Sequence, residues 1–593
     1  MIRQGELDEF KIKKGKGHVR RLMKYFRPYI PLILLSVLLA VLINGVVLAK
    51  PYLLKHIIDD HIATGLTDMR TVQNLGILFF AITVAGTFIG YAQTYLLTFV
   101  GQRIMYNIRS QLFTHIQNMS MAYFDHNSSG RLLTRVTNDV EALNEVFSGV
   151  LINLFRDVVL IIGIIVVMFS LSPQLAGISL ASIPLIALVT VFYRLAARKN
   201  FIRMKGMISK INGFLAENIN GMRLVQIFNR EKEKYDEFKE LDDTYYKTSL
   251  REVILNSLCR PVVDVINNAT IVGLLWFCTS GAGIGIFEIG LIYVFVTYIK
   301  QIFEPISEIA EKYTTLQSAM ISSERIFEIL DTKDTLEDME AGRRIERLRG
   351  KIEFRNVWFA YNDENWVLKD VSFTINPGET CAFVGPTGCG KSTVINLMAR
   401  FYEIQKGVIL IDDVDIMEYN LRDLRRQISV VLQDVFMFSG DIRANIRLNN
   451  MEITDEMVEQ AARQMHAAEF IESLPGQYDE EVKERGCTFS AGQRQLLSFA
   501  RAVAFNPSVL VLDEATASID TQTEAQIQKA MEAISKGRTS IIIAHRLSTI
   551  KKADRIIVIT NGKVRESGTH RELLRQQGIY SRLYHTQFSP KAT

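Results

Sequence analysis

Two hydrophobic patterns divide the chain. In the first half, six apolar stretches lie near 29–50, 75–100, 149–171, 175–194, 258–279 and 286–306. Each is long enough, at about 20 residues, to cross a bilayer as a helix. Only Ser172-Pro173-Gln174 separates the third from the fourth, which predicts a tight turn between antiparallel spans. Glycine and proline inside the runs are compatible with this, because a helix satisfies its own backbone hydrogen bonds in lipid. After about Asp331 the long runs stop, and short apolar runs alternate with helical periodicity, the pattern of an α/β domain. The predicted organisation is a terminal segment 1–28, a six-helix membrane domain 29–325, a linker 326–350 and an α/β domain 351–593.

Composition agrees with a two-part chain. A length of 593 residues exceeds what one hydrophobic core usually serves. A 48% hydrophobic share beside 22% charged residues fits neither a wholly soluble nor a wholly embedded protein. The formal charge of +4 is too small for this length to indicate nucleic acid, so the placement of charge carries the information. Lys and Arg concentrate in the N-terminal segment and in the connections 101–148 and 195–257, while the Ser172–Gln174 turn and the Thr279–Phe287 link carry none. The excess of basic residues on one side predicts that both termini and both long connections face the cytosol. His18–Tyr29 mixes basic residues with Leu22, Met23, Tyr25 and Phe26 and reads as an interfacial helix, with no signal-peptide cleavage pattern after it. Connections this long are expected to be helical extensions of the spans, broken near Tyr123–Gly130 and Asn220–Arg223. Cys259, Cys278, Cys381, Cys389 and Cys487 show no metal-ligand spacing and read as reduced or buried thiols.

The second half carries phosphate chemistry. The short apolar run Cys381–Val384 leads into Gly385-Pro386-Thr387-Gly388-Cys389-Gly390-Lys391-Ser392-Thr393, and a helical pattern follows. Glycines let backbone N–H groups close around phosphates, and the helix N-terminus adds partial positive charge. Lys391 is placed to reach the terminal phosphates and Ser392 to hold Mg²⁺. A second apolar run, Val509–Leu512, ends in Asp513-Glu514. The first carboxylate can orient the Mg²⁺ shell and the second can polarise an attacking water.

On these motifs the chain resembles a half-transporter of the ATP-binding cassette (ABC) exporter family, over nearly its whole length. Phe489-Ser490-Ala491-Gly492-Gln493 matches the family's signature loop, Gln433 its Q-loop, His545 its switch histidine and Asp520 its D-loop, while Tyr361 stands where the family stacks an aromatic ring on adenine. The resemblance implies an all-α polytopic membrane domain followed by an α/β P-loop ATPase domain. It implies ATP and Mg²⁺ as cofactors, with Ser392, Gln433 and Asp513 around the metal. Glu514 is implied as general base and His545 as the γ-phosphate contact. It also implies that two chains meet head to tail, each lending its signature loop to the other's ATP. Short coupling helices are implied at Ala122–His126 and Gly221–Gln226.

Two departures stand out: the family's usual Leu-Ser-Gly-Gly-Gln reads here with Phe489 for Leu and Ala491 for the first Gly. Ala517 also replaces the D-loop serine, while Lys391, Asp513, Glu514 and His545 are intact. This asymmetry leads us to expect a heterodimer with one strong and one degenerate ATP site; the alternative is a homodimer that tolerates the change. The expected cargo is a hydrophobic or amphipathic compound exported across the cell membrane, with a lipid or peptide exporter as the alternative. A gated channel and a soluble ABC ATPase fit less well, given six spans and no regulatory insertion. Asp157, Asp264 and Glu304 fall near the cytosolic ends of their spans. Intramembrane acids are often functional, so Asp157, Asp264 and Glu304, with Tyr293, Phe295, Tyr298 and Phe303, are expected to line an inward-open cavity for amphipathic cations.

Overall fold

The computed structural model describes residues 16–62, 69–279, 288–334, 336, 341–362, 365–513, 521–543 and 547–587. The chain forms two compact units, one of residues 1–117 and 130–332, the other of 118–129 and 333–593. The short segment 118–129, expected within the membrane domain, therefore groups with the ATPase part of the chain.

The first unit is helical. A basic helix α1 (Lys16–Phe26) precedes α2 (Ile30–His56) and α3 (Met69–Gln117). The segment 118–129 interrupts this series with a six-residue helix, α4 (Met121–His126). The chain from Ser129 to Val150 is then helical throughout, alternating α and wider π turns. It continues as α5 (Leu151–Leu171), α6 (Pro173–Leu180), α7 (Ser182–Asn220), α8 (Met222–Ile227), α9 (Glu231–Thr279) and α10 (Ile289–Asp331). Among the described residues six helices are long and apolar enough to cross a membrane. The expected extensions are present: α3 and α9 each run 49 residues without a break. The turn after α5 is tighter than predicted. Ser172 alone is non-helical, its hydroxyl capping Leu175 N–H, and Pro173 opens α6 because its missing N–H costs nothing at a first helical position.

Helix α10 forms the inner wall. Val294, Phe295, Tyr298, Ile299 and Ile302 are buried together with Ile164 and Met168 of α5, Leu175 of α6 and Leu274 of α9. At its N-terminus Asp59 accepts a hydrogen bond from Gly290 N–H at 2.6 Å, placing a carboxylate at the positive end of the helix. Near its other end Arg21 of α1 pairs with Asp331 and lies over the Phe327 ring at 4.5 Å. The expected interfacial helix thus has one face, Arg21, Tyr25 and Phe26, turned to the protein. The other face leaves Arg20, Met23, Lys24 and Arg27 exposed. Asp157, only 2% exposed, is not a free acid: Lys312 Nζ lies 2.8 Å away and Arg156 Nε 3.6 Å away.

Among the described residues the second unit contains two large sheets and a short two-stranded ladder that pairs Gly440–Asp441 with Glu481–Val482. Strands β1 (Ile352–Ala360), β2 (Trp366–Ile375), β4 (Lys406–Ile411) and β5 (Val414–Asp415) form an antiparallel sheet in the order β2-β1-β4-β5. The other sheet contains β3 (Thr380–Val384), β6 (Ile428–Val431), β7 (Val509–Asp513), β8 (Thr539–Ile543), β9 (Arg555–Thr560) and β10 (Lys563–Gly568), in the order β10-β9-β3-β8-β7-β6. All but its β9–β10 pairing are parallel. Parallel strands are covered on both faces, which is why Val509–Leu512 and Thr539–Ile543 are unbroken apolar or small runs and are fully buried. One face packs Val509, Val511, Ile541 and Phe383 with the helix that follows β3, and the other packs Leu510, Leu512 and Ile542 with a helix beginning at Ala491.

Lys312→Met leaves the buried Asp157 without its nearest cation, which costs about 3 kcal/mol or more. Thermal unfolding of the full-length detergent-solubilised protein should start at a clearly lower temperature, and Asp157→Asn in the same chain should restore most of the loss.

Candidate functional site

The site begins where β3 ends. Gly385 passes so close to β9 that an added Cβ would lie 2.1 Å from Ile559 O, so no larger residue fits there. Gly388 and Gly390 have φ of +79° and +105°, the left-handed region that glycine enters without strain. The loop closes onto α11 (Lys391–Met398). Pro386, Thr387, Gly388 and Ser392 are exposed, whereas Cys389, Gly390, Lys391 and Thr393 are buried. Space opens beside Gly388, where an added Cβ would meet nothing within 4 Å.

Lys391 is folded over this loop. Its ammonium donates to Gly385 O at 2.8 Å and Pro386 O at 3.1 Å. A buried cation held by two neutral carbonyls and, at 3.9 Å, the Cys389 sulfur is poised for a stronger acceptor, since hydrogen bonds between two charged groups are about twice as strong as neutral ones. The exposed loop, its open glycine and this lysine therefore fit a phosphate chain. Close by, Tyr361 is partly exposed and anchored to α11: its hydroxyl donates to Thr393 Oγ1 at 3.2 Å and accepts from Asn396 Nδ2 at 3.3 Å. Its ring meets Phe359 and Tyr402 edge-on, at 4.8 and 5.1 Å between centroids. One ring face can then receive a planar base while the hydroxyl holds the ring in place.

The metal candidates leave the sheet at one edge. Ile543 of β8 pairs with both Phe383 of β3 and Asp513 of β7, so Asp513 emerges about 10 Å, two strand spacings, from the phosphate strand. Val431 of β6 pairs with Leu512, which brings Gln433, two residues on, to the same edge. Ser392, Asp513 and Gln433 offer oxygen donors, the donor type that Mg²⁺ prefers, and are the residues that would hold it beside a phosphate chain. Glu514, Ala517, Asp520 and His545 lie outside the described residues.

The signature loop opens α12 (Ala491–Ala504) with a capping box. Ser490 Oγ accepts from Gln493 N–H at 3.2 Å, and Gln493 Oε1 accepts from Ser490 N–H at 2.9 Å. Phe489 is buried and packs edge-on with Phe470 at 6.5 Å, so its replacement of leucine changes packing beneath the loop. Ala491 is exposed on the first turn and Gly492 is buried. Phe489 belongs to the hydrophobic cluster on one face of the six-stranded sheet, while Cys389, Val394 and Ile395 of the phosphate loop and its helix belong to the cluster on the other face. One chain does not bring the two motifs together.

The expected cargo residues are divided. Asp264 and Glu304 are exposed, and Tyr293 is 40% exposed. Tyr298, Phe295 and Phe303 are instead buried, and the Tyr298 hydroxyl donates to Leu48 O at 2.7 Å. The expectation of one aromatic and acidic wall is corrected accordingly: these three rings pack inward to satisfy the helix bundle. The side chains of Arg260 and Cys259 lie outside the described residues. Cys278, Cys381, Cys389 and Cys487 are free thiols, and burial pushes the Cys381 thiol far above its ordinary range. Sequence reasoning missed one contact at the site's margin. Tyr402 donates to Asp125 of α4 at 2.5 Å, a pair 277 residues apart that no local pattern announces.

Comparison with known proteins identifies similar chains. Residues 33–306 match the family model described as "ABC transporter transmembrane region", and residues 368–517 match that described as "ABC transporter". A Bacillus subtilis protein named "Probable multidrug resistance ABC transporter ATP-binding/permease protein YheH" is 42% identical over 87% of this chain and 76% of its own length. The "ATP-dependent lipid A-core flippase" of Syntrophus aciditrophicus is 33% identical over 96% of this chain and 94% of its own. A solved structure, "Structure of a bacterial Atm1-family ABC exporter with ATP bound", superposes with a TM-score of 0.77 at 26% identity, covering 95% of this chain and 99% of that one.

Gly385→Ala should weaken binding of a fluorescent ATP analogue by about tenfold or more, the equivalent of 1.4 kcal/mol. The melting temperature should also fall, because relieving the clash displaces the loop from the buried strand β9. Equilibrium titration of wild type and variant, with melting curves of each, checks both halves of the expectation.

Proposed function

The chain belongs to the ABC transporter family, whose members hydrolyse ATP to drive transport, and from that premise we propose that it is one half of a heterodimeric exporter of hydrophobic or amphipathic, multidrug-type compounds. The observation that supports the dimer in this reading is that the helix after the phosphate loop and the helix after the signature loop pack on opposite faces of one sheet, while the departures at Phe489 and Ala491 support two different chains. A nucleotide held by Lys391 then meets a signature loop only if a second chain supplies it. Binding ATP is thereby tied to closure of the dimer, and loss of the bridging phosphate to its opening.

In this reading Lys391 leaves the Gly385 and Pro386 carbonyls for the β- and γ-phosphates, and Tyr361 stacks on the adenine. Ser392, Asp513 and Gln433 hold Mg²⁺, Glu514 takes a proton from the attacking water, and His545 and the D-loop Asp520 complete the site. Ser490, with the N-terminus of α12 behind it, caps the γ-phosphate bound by the partner. Ala491 adds a methyl group on the exposed first turn where the family has hydrogen, which supports a degenerate site on this chain's signature side. The intact Walker residues then belong to the strong site. The termini and ATPase domain face the cytosol, and the exposed apolar residues Met222, Leu224 and Ile227 of α8 suit a coupling helix docking on a partner's ATPase domain. A lipid cargo is the second reading, favoured by the similarity to a lipid A-core flippase and, at 36% identity, to a Mycobacterium bovis "Fatty acid ABC transporter ATP-binding/permease protein".

ATP hydrolysis by the chain alone and with a co-expressed partner half-transporter separates the two assemblies. The pair should be active, the lone chain nearly inactive, and Glu514→Gln should abolish the pair's activity by more than about a hundredfold. A fully active lone chain would establish a homodimer that tolerates Phe489 and Ala491.

A further inference from the structure

Helix α4 is tied to the rest of the ATPase-containing unit from two sides. On one side it joins the chain that follows α10: Ser120 N–H donates to Asp334 O at 2.9 Å, and Leu336 N–H donates to Asn118 O at 2.8 Å. The last turn of α3 ends at Gln117 and that of α10 at Asp331, so two long membrane-unit helices run by chain connection into one small backbone bridge. Ser120 also caps α4, its hydroxyl accepting from Tyr123 N–H at 3.2 Å. On the other side the Tyr402 hydroxyl donates to Asp125 Oδ2 at 2.5 Å.

Tyr402 also touches the nucleotide site from behind. Its ring meets Tyr361 edge-on at 5.1 Å and Phe359 at 5.8 Å. A cavity of about 700 Å³ opens alongside, lined in part by Asp125, His126, Lys333, Tyr361, Arg400 and Tyr402. The pair is therefore not sealed in a close-packed core, and the Tyr402 ring has room to change orientation. Burial, and then the Asp125 carboxylate, push its hydroxyl well above the ordinary tyrosine range, so it remains a donor throughout the physiological pH range.

We propose that Tyr402 is a positioning residue that reads whether a base is stacked on Tyr361 and transmits that occupancy to α4 through its hydrogen bond to Asp125. The inference rests on the reading of Tyr361 as the base-stacking residue. A base on the outer face of Tyr361 restricts that ring. The edge contact then restricts Tyr402, and a fixed hydroxyl holds Asp125, α4 and the bridge in one arrangement. Without a base the same hydrogen bond can form, as it does in this structure, but the Tyr402 ring is less restrained and holds Asp125 less persistently. Phosphates alone would then occupy the Lys391 loop without setting the ends of α3 and α10.

Hydrogen–deuterium exchange of the full-length exporter, with and without vanadate-trapped ATP, tests this alongside steady-state hydrolysis. In wild type, trapped ATP should slow exchange several-fold in residues 108–126 and 322–334. In Tyr402→Phe and Asp125→Ala the slowing should fall below about twofold, while Asp125→Ala still hydrolyses ATP within about twofold of wild type. Asp125→Asn should keep the response, because its amide oxygen still accepts from the tyrosine hydroxyl. The double variant Tyr402→Phe/Asp125→Ala should respond no worse than either single one, as expected for one shared interaction. A wild-type response retained by Tyr402→Phe, no response in wild type, or additive losses in the double variant would each overturn the relay. Tyr361→Ala isolates the underlying reading: if it leaves the KM for ATP unchanged, the stacking assignment fails, independently of what Tyr402 and Asp125 do.

Discussion

The Lys391 ammonium is buried beneath its own loop and held by two carbonyls, and the ATPase unit is organised around where that charge can go. A buried cation needs acceptors, and neutral carbonyls are the weaker of the two kinds available to it. Those carbonyls satisfy the amine, and in the proposed function phosphate oxygens would replace them as the stronger acceptors. Gly385 has to run against β9, and Gly388 and Gly390 have to take left-handed backbone, for the carbonyls and the open side of the loop to lie where the exchange requires.

The parallel sheet that carries this loop also decides what one chain lacks. Successive residues of a strand point to opposite faces, so the helix after β3 and the helix after the signature loop are buried against different sides. The same arrangement leaves the capped start of α12 at the surface, its Ser490 and Gln493 satisfied by each other. A helix start satisfied in this way is stable by itself and leaves its N-terminus at the surface. Phe489 fits this division: it fills the core under the loop, so the departure from leucine concerns packing and the departure at Ala491 concerns the exposed turn.

In the membrane unit, charge is used to fasten helices together. Asp157 with Lys312 joins α5 to α10, Asp59 caps α10, and Arg21 with Asp331 ties α1 to its far end. Asp157 was legible in the sequence as an acid beside an apolar run, but Lys312, which neutralises it, lies 155 residues away. The aromatic residues of α10 show the same limit. Their presence was plain, yet a helix pattern does not say which of its faces meets another helix, and Phe295, Tyr298 and Phe303 turned inward.

By itself the sequence determined the spans, the strand-loop-helix around Lys391, the strand ending in Asp513 and the start of α12 at Ser490. All of these depend on neighbours within a few residues, through periodicity, capping and glycine backbone freedom. Tertiary structure alone decided that residues 118–129 join the ATPase unit, that Tyr402 reaches Asp125, and that Ser120 and Asn118 pair with the chain after α10. Those contacts link residues hundreds of positions apart. A single tyrosine hydroxyl and two backbone hydrogen bonds leave no periodic trace along the chain, so only the folded structure could bring them together.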